Sequence, residues 1–153
     1  MKSILSAMQK IYPLSDESIL EIKKHMTRLE LPKKHILIRS DVIDRNYYFI
    51  EKGLTRSFSL VDGEEITSWF SKEGDITFSM LSCYLEQPGY EFVELLENSI
   101  IYAVPVNILN LLYETHIDIV NWSRLIHQQA FLDLELRHIS MTSDSAERRY
   151  SNF

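Results

Sequence analysis

Asp62-Gly63 is the feature that most constrains how this chain can fold. An Asp-Gly pair suits the two-residue type I′ turn, whose positive φ angles match the twist of paired strands. The flanking runs, Leu54 to Val61 and Glu64 to Phe70, are therefore predicted to form a tight hairpin. Across that turn Phe58 falls opposite Thr67 and Arg56 opposite Trp69, and the second pair is expected to stack as cation on π face. Further short runs rich in β-branched and aromatic residues surround the hairpin: His35 to Ile38, Tyr47 to Ile50, Glu91 to Leu96 and Ser99 to Pro105. Short strands at regular intervals imply a small β-sandwich or barrel.

Helices flank this region. A turn around Ile4 to Met8 precedes Pro13, and Ser15 then caps a helix with Asp16 and Glu17 in its first turn. Ile19, Ile22, Met26 and Leu29 give that helix one apolar face, and Leu31-Pro32 is expected to end it. After the strands, Pro105 opens another helix at its favoured first position, with Val106, Leu109, Leu112 and Tyr113 as its stripe. The segment from Asp118 to about Met141 contains neither Gly nor Pro and is the longest predicted helix. Asn121, Arg124, Gln128 and Glu135 make one narrow polar stripe on it, while apolar residues spread over the rest. A monomer's surface helix buries a single face, so this one is expected to pack on the β-domain and on a second copy. The expected interface residues are Trp122, Leu125, Ile126, Leu132, Leu136 and Ile139.

Composition excludes several functions. The formal net charge of -6 disfavours a nucleic-acid surface within these residues, since duplex binding relies on clustered Lys and Arg. No apolar run approaches the ~20 residues that span a bilayer, and the one cysteine, Cys83, cannot form an internal disulfide. A cytoplasmic location follows as the expectation. His127 and His138 stand eleven residues apart, about 16 Å along a helix, and cannot share a metal. No metal, no other cofactor and no catalytic residue is predicted, and the chain is not expected to be an enzyme.

The order of these parts, with Lys52-Gly53, Asp62-Gly63-Glu64-Glu65, Glu73-Gly74-Asp75, a long helix and then Ala146-Glu147-Arg148-Arg149-Tyr150, resembles the sensor half of Crp/Fnr-type transcription regulators. The resemblance implies a mainly β fold with flanking helices, a cupin-like double-stranded β-helix or jelly roll followed by a long dimerisation helix. It divides the chain into a cyclic-nucleotide-binding-like roll with N-terminal helices (1–116), a dimerisation helix (117–142), and residues 143–153 as a capped start towards a helix-turn-helix domain that these residues do not include. DNA would be contacted only through that domain. In cyclic-nucleotide-binding members a Gly-acid pair holds the ribose and an Arg-Ser or Arg-Thr pair about ten residues later holds the phosphate. Asp75 matches the acid, whereas Tyr90-Glu91 stands where the Arg is expected.

The chemistry of that departure is independent of the resemblance. Between Lys72 and Arg124 there is no Lys or Arg, while Glu73, Asp75, Glu86, Glu91, Glu94, Glu97, Glu114 and Asp118 fall in the same interval. A buried phosphate needs charge-assisted donors and is repelled by a carboxylate, so the usual mode of binding cyclic AMP is not expected unless Arg39, Arg45, Arg56 or Arg124 reaches in or backbone amides alone hold the phosphate. Gly74, Asp75, Ile76, Thr77, Tyr90 and Glu91 are the expected ligand-binding residues for a small-molecule effector of unassigned identity. Gly74-Asp75 equally fits a plain turn. Two functions remain: effector sensing with dimerisation, or a ligand-free dimerisation or protein-interaction module on a degenerate version of the same fold.

Overall fold

Asp62 and Gly63 both take positive φ, 53° and 81°, so the hairpin closes on the turn that its residues favour. The structure, a computed structural model, describes residues 1–151, with side chains through residue 140 and at 142. In chain order the elements are α1 (Lys2–Ile11), α2 (Asp16–Lys24), β1 (Thr27–Leu31), β2 (Ile36–Ile38), β3 (Asn46–Lys52), β4 (Leu54–Val61), β5 (Glu64–Lys72), β6 (Ile76–Thr77), α3 (Met80–Leu85), β7 (Phe92–Leu95), β8 (Ser99–Pro105), α4 (Val106–Thr115) and α5 (Ile117–Ser151). The strands form two four-stranded antiparallel sheets, ordered β1-β8-β3-β6 and β2-β7-β4-β5. The expectation of a mainly β fold with flanking helices is borne out at this level.

The central strand β3 explains where the core lies. Tyr47, Tyr48, Phe49 and Ile50 are all buried, and because successive side chains point to opposite faces they serve two cores. Tyr48 and Ile50 join Ile38, Val93, Leu95, Ile101 and Ala103 in one cluster. Tyr47 and Phe49 join the helical residues Ile4, Met8, Ile22, Leu109, Ile119 and Trp122 in the other.

Three local readings are corrected. The hairpin register holds at Phe58↔Thr67, but a bulge leaves Ser68 without a partner, so Ser57 faces Trp69 and Arg56 faces Phe70. A one-residue shift exchanges the faces of everything beyond it, which is why the alternation in this hairpin is unclear from the sequence. Arg56 accordingly stacks over Phe58 at 4.2 Å, and Trp69 lies instead beneath Arg137 at 4.7 Å. α2 starts at Ser15 as expected, with the Ser15 hydroxyl accepting from the Ser18 amide, but it ends at Lys24. Thr27 to Leu31 pair along their whole length with β8, placing Leu29 opposite Ile101. The Met26–Leu29 spacing fits a helix, yet Leu29 and Leu31 also fit period two, and the open edge of β8 decides between them. Pro105 ends β8 and stands at the cap of α4 rather than inside it.

The long helix is held at its start. Asp118 accepts from the Ser15 amide at 3.0 Å and from the Ser18 hydroxyl at 2.7 Å, tying α5 to the beginning of α2. Trp122 is 1% exposed and stacks on Phe49, with centroids 6.0 Å apart and planes 8° from parallel. Trp122 is thus core of this chain, not an interface residue, and Ile126 packs against the same cluster. Their spacing of four puts them on the one face of α5 that the roll covers. Leu132, Leu136 and Ile139 are about half exposed, as are Leu134 and, more so, Phe131. α5 is continuous to Ser151, without the fresh start expected at Ser143; the side chains beyond Thr142, and residues 152–153, lie outside the described ones. Among the described residues no helix is long and apolar enough to cross a membrane.

Replacing Trp122 by Ala is expected to cost about 3–5 kcal/mol in urea unfolding, while Trp122→Phe, which keeps the stacked ring, loses far less. Equal losses in both variants would contradict the role given to the stack.

Candidate functional site

The expected ligand residues are not one site. Gly74-Asp75 is a turn: the Asp75 amide donates to Lys72 O at 2.9 Å, and the Lys72 amide donates to Asp75 Oδ2 at 2.9 Å. Gly74 has φ of 88°, and a Cβ on it would lie 2.9 Å from Ala7 of α1, so glycine is required by both backbone and packing. Its amide donates to Ile50 O, and the Ile50 amide donates to Asp75 O, which fastens the turn to the end of β3. Ile76 and Thr77 continue as β6, paired with Phe49 and Tyr48. The groups that would cradle a ligand here are occupied in holding the sheet.

Tyr90 and Glu91 do border a cleft, of about 30 Å³, between α3 and strands β2 and β7. Ile38 and Val93 form its strand side, Phe78, Ser79, Met80 and Leu81 its helix side. Gly89 completes it, packed so closely that a Cβ there would lie 2.5 Å from the Ser79 hydroxyl and force that hydroxyl to turn away. α3 is not anticipated from the sequence; with six residues, its only signal is Ser79 followed by Leu81 and Tyr84 at helical spacing.

Glu91 dominates the electrostatics of the cleft. Burial raises its pKa above the ordinary carboxylate range, opposed by a hydrogen bond from Ser68. That bond is weak: the Ser68 hydroxyl lies 3.3 Å from Glu91 Oε1 and also 3.3 Å from Ser57 O, and one hydroxyl proton cannot serve both at once. Arg39, Arg45, Arg56 and Arg124 are absent from the lining of the cleft. Arg56 is committed to Glu65 at 2.8 Å and Glu94 at 3.2 Å.

Behind the cleft wall lies a second, tighter cavity of about 10 Å³, bordered by Tyr47, Phe49, Tyr113, Trp122 and His127. Phe78 lines both. Its ring lies 4.7 Å from Tyr47, 5.6 Å from Tyr84 and 5.9 Å from His127. The Tyr84 hydroxyl is 2.7 Å from His127 Nδ1, joining α3 directly to α5. Burial pushes the Tyr84 phenol up to about 12 and holds His127 below its ordinary value, so at neutral pH the contact joins two uncharged groups. Cys83, one residue before Tyr84, is buried with its thiol pushed up to about 12, as suits a small core side chain.

The fold is shared with solved sensor domains. A cyclic nucleotide-binding domain from Methylobacillus flagellatus matches with a TM-score of 0.75 at 16% identity, over 90% of this chain and 78% of that one. The sensor domain of the transcriptional regulator DNR from Pseudomonas aeruginosa matches at 0.67 and 14%, over 90% and 88%. The catabolite activator protein from Thermus thermophilus matches at 0.68 and 19%, over 88% of this chain, which spans 63% of that protein's length. At these identities the likeness is one of fold. No family model matches the chain, and no curated protein sequence does.

A carboxyl group whose folded pKa is raised binds its proton more readily in the folded state, so its effect on stability worsens as pH rises from the ordinary Glu value through the raised one. Glu91→Gln should therefore match the wild type below about pH 4 and be the more stable of the two at pH 7. Urea midpoints of the two proteins across pH 3.5–8 would show this, and a variant that is less stable at pH 7 would contradict it.

Proposed function

We propose that the chain is the effector-sensing and dimerisation part of a Crp/Fnr-like transcription regulator, non-enzymatic and cytoplasmic, in which the cleft does not hold a cyclic nucleotide in the usual way. The strand order β1-β8-β3-β6 facing β2-β7-β4-β5 supports reading the sheets as a cupin-like jelly roll. DNA would be reached through a helix-turn-helix domain outside these residues. The observation that carries the sensor reading is Phe78: one ring forms a wall of the cleft and also touches His127 of the long helix. A ligand that displaced this ring would change the seat of α5, provided that it binds the two arrangements with different affinity.

The dimer follows from the other side of α5. Leu125, Leu132 and Ile139 recur at seven residues, with Leu136 beside them, a spacing that brings two helices together along one seam. The exposure of Leu132, Leu136 and Ile139 supports their place at that seam. Trp122 and Ile126 leave the proposed interface because the roll covers them.

The alternative, a ligand-free dimerisation module, is favoured by one observation. The cavities of about 10 and 30 Å³ hold about one and two waters respectively, far from a nucleotide. Thermal unfolding separates the readings for cyclic nucleotides: a ligand at a hundred times its dissociation constant adds about 2.7 kcal/mol, or roughly 5–10 °C for a chain this long. Cyclic AMP and cyclic GMP at millimolar concentration are expected to give no shift, and a rise of that size would overturn the exclusion. Sedimentation equilibrium should show a dimer that Leu132→Glu combined with Leu136→Glu weakens at least about a hundredfold. A monomeric wild type would refute the dimerisation role.

A further inference from the structure

Glu91 is a half-buried carboxylate whose one neighbouring donor, the Ser68 hydroxyl, is shared with Ser57 O. An ionised carboxylate is an acceptor at both oxygens and is costly to bury without donors. No cationic side chain lines the cleft, and among the described residues Glu91 takes part in no ion pair. Apart from Ser79 and Gly89, the walls around this acid are apolar or aromatic: Ile38, Phe78, Leu81 and Val93, with Tyr90 and Met80 about half exposed. A site with an ionisable acceptor, mostly apolar walls and two aromatic rings is complementary to a donor that carries positive charge.

We infer that the cleft binds a small organic ammonium compound, with its cationic head on Glu91 and its hydrocarbon part against Tyr90 and Met80. The free volume of about 30 Å³ fits an ammonium or methylammonium head, and the rest of the ligand lies at the open side. The same features reject anions: a carboxylate or phosphate in this position faces Glu91 with no Lys or Arg to balance it. The inference rests on the sensor reading and gives its effector a chemical class.

The test uses the whole chain at pH 8, well above the ordinary carboxylate range, with n-butylammonium chloride, sodium butyrate or n-butanol at equal millimolar concentrations and matched ionic strength. Thermal unfolding is expected to show a rise of several degrees with butylammonium alone, lost in Glu91→Gln. Circular dichroism of that variant checks that it is folded, and Tyr90→Ala, which keeps the acid, should reduce the shift without abolishing it. The assignment is overturned if butyrate or butanol gives an equal rise, if Glu91→Gln keeps the response, or if butylammonium gives none. Sedimentation of the same samples separates the two levels. A dimer that ignores butylammonium removes the ligand class and keeps the sensor-dimer reading, whereas a monomer that binds it through Glu91 removes that reading and keeps the site.

Discussion

The Phe49–Trp122 stack is the contact on which the rest of the arrangement depends. Phe49 belongs to β3, the strand that buries both faces, and Trp122 lies one turn into a 35-residue helix. Fixing one ring pair therefore fixes the first turns of α5 relative to both cores. The contact is not perfectly satisfied, since the Trp122 indole N–H is buried without a partner among the described residues and an unpaired buried donor costs about 1–3 kcal/mol. The stacked rings and their apolar surroundings outweigh it. Past Ile126 the helix passes over Trp69 of the hairpin, where Arg137 stacks on the indole, and Phe131, Leu132, Leu134, Leu136 and Ile139 are left exposed.

Much of this could be read from the sequence, where the determinants are local. Asp62-Gly63 fixes its turn through its own backbone preferences, and Ser15 with Asp16 and Glu17 fixes a helix start for the same reason. The continuous apolar runs in β3 and β8 identify themselves because both of their faces are covered. What failed depended on partners distant in sequence. Met26 and Leu29 fit a helix until β8 offers an edge to pair with, and the bulge at Ser68 depends on how two strands meet. Trp122 looks the same in sequence whether its own roll or a second copy covers it.

The candidate site follows the same division. The acidic character of the stretch around Tyr90-Glu91, without Lys or Arg, was legible as charge, and both residues do line the cleft. Gly74-Asp75 was legible as a turn and was over-read as a cradle; its hydrogen bonds hold the end of β3. Phe78 carried no signal, and Ser79 and Tyr84 only a faint one, because the six-residue helix at this point has too few turns to show a period. Their importance comes from position: Phe78 between the cleft and α5, and Tyr84 bonded to His127.

That placement makes the link between cleft and long helix the central claim. Amide hydrogen exchange of the wild type and of Phe78→Ala tests it most directly, because exchange reports local opening segment by segment. Faster exchange is expected in the variant both in α3 and in the part of α5 around Trp122 to His127, with β1 and β8 unchanged. Faster exchange confined to α3, with α5 as protected as before, would show that the ring does not connect them.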